Sequence, residues 1–267
     1  MTASAPRPAA TVMLIRDRQA GGLEVFLMRR HPKSAFMGGA HVFPGGKVDA
    51  ADGGPEIAAR LDLPEGDLPE GEHGAASRVA AIRETWEECG VLLVHGGPPD
   101  ATLLEGPPDL ARLLDGTALR LAGDALQYVA CWVTPEQEPR RYDARFYLAR
   151  APAGQRAVHT DVETTSGGWF EPGEAVGAMH RGEVFLAPPT LRNLEILAEA
   201  ADVDDAMARA RTSPKPVVRP ELRLEDGCAV ILLPGDPELG PAEGPFVPGP
   251  TKMVLRAGRW IYPDRAA

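Results

Sequence analysis

The stretch Arg83-Glu84-Thr85-Trp86-Glu87-Glu88-Cys89-Gly90-Val91 decides the fold that we predict for this chain. Apolar residues recur through it and just before it at steps of three and four, the spacing of an α-helix with one buried face. These residues are Val79, Ile82, Trp86 and Cys89. The opposite face carries three glutamates, and the small side chains of Ala80 and Ala81 leave room beside them. Gly90 is a stop signal, so we predict a helix over about residues 75–89.

The three glutamates Glu84, Glu87 and Glu88 crowd negative charge onto one helix face that has no lysine among them. A divalent cation would relieve this repulsion, and hard cations such as Mg²⁺ and Mn²⁺ prefer oxygen ligands. Arg83 stands four residues before Glu87, where a side chain on the same helix can pair with it. The helix therefore has two interpretations, a metal site or a solvated acidic surface.

A second stretch, Phe43-Pro44-Gly45-Gly46-Lys47-Val48-Asp49, places a glycine pair and a lysine after an apolar run. Together the two stretches resemble the Nudix box, G-x5-E-x7-R-E-U-x-E-E-x-G-U, in which U is apolar. Gly46 matches the first glycine, and the run from Arg83 to Val91 matches the second half. By this resemblance the chain is identified as a member of the Nudix hydrolase superfamily.

The chain departs from this pattern at three points. Asp52 stands where the pattern has its first glutamate, and Thr85 stands where an aliphatic residue is usual. Arg83 follows Gly46 by 37 positions, which is 23 more than the pattern requires. We therefore expect an insertion within the box, at about residues 53–74, and its Gly, Pro, Asp and Glu content predicts a surface excursion.

The resemblance implies an α/β protein with the Nudix fold, an α/β/α sandwich around a mixed β-sheet. We expect a flexible tail at residues 1–9, where alanine and proline dominate. The Nudix hydrolase domain is expected at residues 10–213 and includes the insertion. A C-terminal β-rich extension is expected at residues 214–267, packed on the main domain.

Local patterns predict several elements of this domain. Apolar runs at residues 11–16 and 24–29 flank a glycine turn and predict two antiparallel strands. An amphipathic helix is predicted at about residues 191–201. Residues 202–211 are predicted to continue that helix.

Nudix enzymes use divalent cations and water to split a diphosphate that joins a nucleoside to another group. Carried over to this chain, the resemblance assigns the metal ligands to Glu84, Glu87, Glu88 and the backbone carbonyl of Gly45, with Mg²⁺ or Mn²⁺ as the cofactor. Glu84 is also a candidate base, and Arg83 would orient the glutamates by ion pairing. Attack of water at phosphorus builds charge on the phosphoryl oxygens, which the cation would stabilise.

An acid outside the box often completes the site in this family. Our candidate for this catalytic acid is Glu163, and its rivals are Asp161 and Glu171. A plain surface acid is the alternative interpretation for all three.

Five residues are candidates for substrate binding: Gly46, Lys47, Arg29, Arg141 and Arg145. Arg29 opens a basic cluster that precedes the glycine pair, and a solvated loop is the alternative for that cluster. The cluster comprises Arg29, Arg30, His31 and Lys33. Lys47 either reaches a phosphate or covers the surface. For Arg141 and Arg145 the alternative is a surface ion pair with Asp143 or a neighbour.

Looser likenesses extend over most of residues 11–236 and resemble one branch of the family, which contains the peroxisomal coenzyme A diphosphatase of animals. They are Pro139-Arg140-Arg141-Tyr142-Asp143-Ala144-Arg145-Phe146, Glu163 to Pro172, Pro188-Pro189-Thr190, and Leu233-Pro234-Gly235-Asp236. The likeness implies hydrolysis of coenzyme A or acyl-coenzyme A to 3′,5′-ADP and (acyl-)4′-phosphopantetheine. The coenzyme A signature of another Nudix branch is absent, so ADP-ribose, NADH and dinucleoside polyphosphates stay open as substrates. A non-catalytic nucleotide-binding regulator is the last alternative, which the full set of glutamates disfavours.

The composition sets limits on partners and location. The chain has 267 residues, of which 44% are hydrophobic and 25% charged, and these values are typical of a globular protein. Its net charge of −10 argues against a general nucleic-acid binder. It does not exclude a phosphate substrate, because a bound metal supplies local positive charge, and the resemblance implies a small-molecule nucleotide as the partner. No apolar run approaches membrane-spanning length and no signal peptide is visible, so no membrane association is expected. Three scattered cysteines indicate a reducing, cytoplasmic location, and a homodimer is compatible with the sequence.

Overall fold

A mixed β-sheet with helices on both faces forms the centre of the structure, which is a computed structural model. It describes residues 4–33, 38–66, 68–97, 110–159, 164–241 and 243–263. The strands are β1 (Arg7–Asp17), β2 (Leu23–Arg30), β3 (Ala40–Val42), β4 (Gly45–Lys47), β5 (Leu61–Asp62), β6 (Val94–His95), β7 (Arg120–Ala122), β8 (Gln127–Val133), β9 (Tyr142–Arg150), β10 (Thr164–Phe170), β11 (Phe185–Leu186), β12 (Val217–Val218), β13 (Glu221–Glu225), β14 (Cys228–Leu232), β15 (Lys252–Arg256) and β16 (Arg259–Ile261). The helices are α1 (Pro55–Ala58), α2 (Gly74–Cys89), α3 (Leu110–Leu114), α4 (Pro172–Arg181), α5 (Pro188–Leu197) and α6 (Val203–Thr212).

Within the described residues the central sheet has nine strands, and its main path runs β11-β3-β2-β1-β9-β8-β12. In addition, β10 pairs with β2, and β4 pairs with β1. Strand β1 runs parallel to β9, from Arg7 opposite Tyr142 to Ile15 opposite Arg150. It runs antiparallel to β2, which confirms the predicted pair of strands. The sheet is therefore mixed, as the sequence predicts.

Strand β1 is apolar along most of its length because both of its faces are covered. Val12 and Leu14 point into the core cluster that contains α2. Met13 and Ile15 point into the cluster that contains α4, α5 and α6. Successive side chains of a strand alternate between the two faces, so one strand contributes to both cores. Helices on the two faces of one sheet form the α/β/α sandwich that the sequence predicts.

Helix α2 buries the predicted apolar face and also residues outside it. The four apolar residues of its predicted stripe are all buried. Ala80 and Ala81 are also fully buried in the same core cluster, so the buried face is wider than the predicted stripe. The reason is that Ile57, Leu61 and Leu121 cover a second side of the helix and widen its buried face. Gly90 ends the helix in the left-handed conformation, with φ of 71°.

The insertion at residues 53–74 is not the surface excursion that the sequence predicts. Ile57 and Leu61 are buried in the core cluster under α2, and β5 pairs with β7 in a small three-stranded sheet. Near its end, Glu70 forms an ion pair with Arg78 of α2 at 2.5 Å, with side chains only 0% and 2% exposed. The insertion is thus part of the packed fold, because it supplies apolar side chains and a charge that α2 needs as partners.

The predicted continuation of the helix at residues 191–201 into residues 202–211 is wrong. Helix α5 ends at Leu197, and α6 begins as a separate element at Val203. Asp202 caps α6, since its side chain accepts a hydrogen bond from the Asp205 N–H at 2.8 Å. A capping aspartate has non-helical backbone angles, so Asp202 separates α6 from α5.

The ends of the described chain join the fold at both sides. Strand β1 begins at Arg7, so residues 7–9 belong to the central sheet and not to the predicted tail. Strands β13 to β16 form a four-stranded antiparallel sheet at the other end. Ile231, Met253 and Trp260 of this sheet lie in the same core cluster as α4 and α5. Among the described residues, no helix is both long and apolar enough to cross a membrane.

Candidate active site

Helix α2 meets strand β4 at the glycine pair. The backbone N–H of Gly45 donates a hydrogen bond to Oε2 of Glu88 at 2.7 Å. A Cβ atom on Gly46 would lie less than 3.0 Å from the carboxylate of Glu84, and one on Gly45 would meet the backbone of β1 equally closely. Glycine is therefore required at position 45, where the backbone of β1 takes the space of a side chain, whereas a side chain at position 46 would displace the carboxylate of Glu84.

Arg83 is the centre of the charged cluster on α2. Its Nε and Nη2 donate to the two carboxylate oxygens of Asp52, each at 2.9 Å. Its Nη1 donates to Glu84 at 2.8 Å and to Glu87 at 3.1 Å. Its Nη2 also donates to the carbonyl of Lys47 at 2.9 Å. One guanidinium thus fixes two of the glutamates, the end of β4 and the start of the insertion.

Asp52 fulfils the pairing role at the position where the box has a glutamate. It lies in a short 3₁₀ turn at residues 50–53 and is 3% exposed. One of its oxygens also accepts from the Asp49 N–H at 2.8 Å. The turn brings the shorter aspartate side chain within reach of Arg83, so this departure from the pattern leaves the pairing intact.

Thr85, the second departure, is fully buried on α2. Its hydroxyl donates to the carbonyl of Ala81, one turn earlier, at 2.7 Å. A buried hydroxyl needs such a partner, and the helix backbone supplies it. Threonine is therefore tolerated in an apolar environment here.

Burial and charge set the ionisation of the cluster. Burial raises the pKa of Glu84, although the neighbouring Arg83 opposes this shift. Burial raises the pKa of Glu87 in the same way, again against the effect of Arg83. Burial alone would lower the pKa of Arg83, but its hydrogen bonds and the charges of Asp52 and Glu84 outweigh this and raise it. The charged forms of Glu84 and Glu87 are thus less favourable here than in water, and a bound cation would stabilise them.

The donor atoms at this site fit a hard cation. Carboxylate oxygens of Glu84, Glu87 and Glu88, together with the carbonyl of Gly45, are ligands that Mg²⁺ and Mn²⁺ take. In the described part of the chain, no group of three or more His, Cys, Asp or Glu side chains is arranged so that it could hold a metal ion by itself. Mg²⁺ does not require such a group, since it usually keeps several waters and binds through one or two carboxylates plus substrate phosphates.

The candidate acids outside the box are only partly described. Glu163 and Asp161 lie outside the described residues, and β10 begins at Thr164. The third candidate, Glu171, caps helix α4, because its side chain accepts from the N–H groups of Gly173 at 3.1 Å and Glu174 at 2.8 Å. This hydrogen bonding gives Glu171 a structural role, as the surface alternative expects.

Two of the candidate substrate arginines are occupied within the chain. Arg145 is 7% exposed and donates to Asp143 at 3.0 Å and to the carbonyl of Glu70 at 3.3 Å. Arg141 donates to the carbonyls of Thr134 at 3.1 Å and Ser4 at 2.8 Å. Arg145 thus forms the ion pair with Asp143 that the alternative names, although it is buried, whereas Arg141 binds backbone carbonyls. Substrate binding by either arginine stays a prediction.

The remaining candidates lie on β2 and β4. Arg29 lies on the face of β2 opposite α2, because side chains alternate and its neighbour Leu27 belongs to the cluster of α4 to α6. Its cross-strand neighbour His41 packs against Phe170 on that face, with ring centroids 5.9 Å apart. The structure thus does not bring Arg29 to the carboxylates. Lys47 is exposed at the end of β4, next to the cluster.

One buried ion pair that supports the site is not predicted from the sequence. Arg78 lies on α2 one turn before the cluster, and it pairs with Glu70 of the insertion. Its Nη1 also donates to the carbonyls of Gly123 and Leu126, each at 2.6 Å. The sequence offers one signal for this ion pair, because Arg78 stands four residues before Ile82, on the apolar face of the predicted helix. Its partner Glu70 lies in a segment without periodicity, so the pairing itself is not predictable.

Known proteins similar to the chain identify its family, although no protein-family model matches the chain. The human acyl-coenzyme A diphosphatase NUDT19 is 31% identical to it over an alignment 291 positions long, which covers 86% of the chain and 76% of the relative. The chicken (Gallus gallus) acyl-coenzyme A diphosphatase NUDT19 is also 31% identical, covering 89% of the chain and 78% of the relative. A crystal structure of a Nudix hydrolase from Alicyclobacillus acidocaldarius matches with a TM-score of 0.68 and 28% identity, covering 77% of the chain and 96% of that protein.

These likenesses span most of the chain in both sequence and structure. The chain belongs to the Nudix hydrolase family, and it is a Nudix hydrolase enzyme.

Proposed function

We propose that this chain is a metal-dependent diphosphatase that hydrolyses coenzyme A or acyl-coenzyme A. The observation that carries the proposal is the contact of Glu84 and Glu88 with the glycine pair of β4, where two carboxylates lie against half-buried backbone. The substrate class is supported by the two acyl-coenzyme A diphosphatases that are 31% identical to the chain. The products are 3′,5′-ADP and 4′-phosphopantetheine, or its acyl form.

The reaction adds one water across the diphosphate. The water oxygen bonds to one phosphorus, the bond from that phosphorus to the bridging oxygen breaks, and two phosphomonoesters leave. Glu84, Glu87, Glu88 and the carbonyl of Gly45 would hold Mg²⁺ or Mn²⁺, which supplies positive charge at the phosphoryl oxygens.

The chain's own residues have separate tasks in this scheme. Glu84 would take a proton from the water. Arg83 fixes the direction of Glu84 and Glu87 through its Nη1. Asp52 holds Arg83 in turn with two hydrogen bonds. The glycine pair lets β1 and the carboxylate of Glu84 approach the backbone of β4 closely.

A turnover panel tests the proposal. The purified enzyme is incubated with Mg²⁺ or Mn²⁺ and with coenzyme A, an acyl-coenzyme A, ADP-ribose, NADH or a dinucleoside polyphosphate. We expect the highest kcat/KM for coenzyme A or its acyl form, and mass spectrometry should detect 3′,5′-ADP as a product. A higher kcat/KM for one of the other nucleotides would exclude the coenzyme A assignment while leaving the Nudix chemistry in place. Absence of turnover without added metal, restored by Mn²⁺, would establish the metal requirement.

A further inference from the structure

Arg30, the residue after Arg29, lies on the face of the sheet that carries the glutamates. Along β2, Phe26 and Met28 belong to the core cluster of α2, whereas Leu27 belongs to the cluster on the other face. Alternation therefore places Arg30 with Phe26 and Met28, on the side of α2. The register shift in the pairing with β10 falls within β10, so it does not reverse the alternation in β2.

Arg30 is also at the end of the sheet where the candidate active site lies. Its carbonyl accepts from the Gly39 N–H at 3.2 Å, at the start of the segment that forms β3 and β4. That segment pairs Val42 with Met28 and then continues to Gly45, which binds Glu88. The strand that carries Arg30 and the strand that carries the glycine pair thus border one region beside α2.

Arg30 is half-buried, and one atom of its guanidinium lacks a hydrogen-bond partner within the part of the chain that the structure describes. Its Nε is buried, and it has no hydrogen-bond partner in the described residues. The Nε of Arg78 is also buried without a partner among these residues, but the Nη atoms of Arg78 bind Glu70 and two carbonyls. Arg83 and Arg145 likewise pair with a carboxylate or a carbonyl. An unpaired buried donor destabilises the fold, so it is expected where a ligand supplies the acceptor.

Charge points to the class of ligand. The chain has 38 acidic and 28 basic residues, so an arginine without an acidic partner is not a result of a shortage of acids. A planar guanidinium matches the oxygens of a phosphate in a two-pronged contact. Glu84 and Glu88 would repel such an anion, and a nearby arginine would offset that repulsion.

We propose that Arg30 binds a phosphate group of the substrate beside the glutamates, and that the sequence-based assignment to Arg29 is one residue out of place. This inference rests on the proposed function for the identity of the substrate, but it needs only a nucleotide diphosphate. In coenzyme A the phosphate could belong to the diphosphate or to the 3′-phosphate of the adenosine. Both offer the same chemistry.

Adjacent variants test the proposal, because Arg29 and Arg30 share one strand and lie on opposite faces. Arg30→Gln removes the charge on the α2 face, and Arg29→Gln is the matched control. We expect Arg30→Gln to raise KM about tenfold or more with kcat within about twofold, since loss of one charged hydrogen bond weakens binding by about that factor. Arg29→Gln should leave both constants unchanged, and Arg30→Lys should recover part of the affinity. Melting curves of the variants report whether the fold is kept.

Comparison of coenzyme A with dephospho-coenzyme A distinguishes the two phosphates. An equal rise in KM for both substrates assigns Arg30 to the diphosphate, and a rise for coenzyme A alone assigns it to the 3′-phosphate. If Arg30→Gln keeps the wild-type KM, or if it lowers the melting temperature and kcat with KM unchanged, Arg30 does not bind substrate. If the wild type does not cleave coenzyme A, the proposed function fails, and Arg30 is then tested with the nucleotide that it does cleave.

Titration of 3′,5′-ADP by calorimetry gives a readout that is independent of turnover. We expect its affinity to fall in Arg30→Gln and to remain in Arg29→Gln if the 3′-phosphate is the ligand. Titration of ADP serves the same purpose for the diphosphate. Unchanged affinity for both nucleotides in Arg30→Gln would overturn the proposal.

Discussion

The backbone N–H of Gly45 lies 2.7 Å from Oε2 of Glu88, and this hydrogen bond joins strand β4 to helix α2 across 43 residues of sequence. The contact holds a carboxylate against backbone and away from bulk solvent. It makes the position of Glu88 dependent on the strand as well as on its own helix.

Glu88→Gln is expected to lower kcat by about 100-fold or more, because it removes a charge that the metal and the transition state need. The amide oxygen can still accept from the Gly45 N–H, so the melting temperature should stay close to that of the wild type. Steady-state kinetics and circular dichroism measure the two effects. Glu174→Gln, an exposed glutamate of α4, is the control and should behave as wild type. Near-normal turnover by Glu88→Gln would contradict the metal assignment.

Gly46→Ala is expected to lower kcat strongly, because the new Cβ would lie less than 3.0 Å from the carboxylate of Glu84 and displace it. Gly53→Ala is the matched control, since a Cβ there meets only Ala76 at an ordinary 3.9 Å. Kinetic constants of both variants measure the difference. Equal activity of the two would show that the close approach of Glu84 to β4 is not needed for turnover.

Arg83→Lys is expected to lower kcat by about tenfold or more, because an ammonium cannot make the two parallel hydrogen bonds to Asp52 while also holding Glu84. The charge is kept, so a loss of activity reports geometry. Arg181→Lys changes an exposed arginine paired with Glu183 and provides the control. A lysine at position 83 with wild-type kcat would remove the orienting role that we give to Arg83.

Glu70→Gln is expected to lower the free energy of unfolding by about 3–5 kcal/mol, the usual cost of leaving one buried charge without its partner. Neither oxygen of Glu70 accepts a hydrogen bond of ordinary geometry from the described residues, so the ion pair with Arg78 is its main contact. Asp62 lies in the same insertion and forms a half-exposed ion pair with Arg120 of β7. Asp62→Asn should lower the free energy of unfolding by less than about 1 kcal/mol. Urea denaturation of the two variants measures both values. Equal losses would mean that Glu70 is no more important than a surface charge.

Local signals in the sequence predict the centre of this fold correctly. The period of the apolar residues and the stop at Gly90 depend only on neighbours along the chain, and helix α2 has the predicted extent and buried stripe. The strands at residues 11–16 and 24–29 are recognisable for the same reason, since a glycine turn joins them. The charged contacts of Arg83 with Glu87 also follow from helical spacing.

The errors concern contacts between distant segments. Arg29 and Arg30 are chemically equal in the sequence, and only the burial of their neighbours shows which of them lies beside α2. The insertion has the composition of a surface loop, yet Glu70 and Leu61 are buried because α2 provides their partners. Such partners are set by tertiary structure, which the composition of a segment does not contain.

The parallel pairing of β1 with β9 also affects how the chain can fold during its synthesis. Ala10 lies opposite Arg145, so residues up to 145 must have been synthesised and have left the ribosome before β1 can pair with β9. Until then, an apolar strand keeps one edge open to other nascent chains. Truncation before residue 142 should therefore yield aggregates, and no smaller stable enzyme.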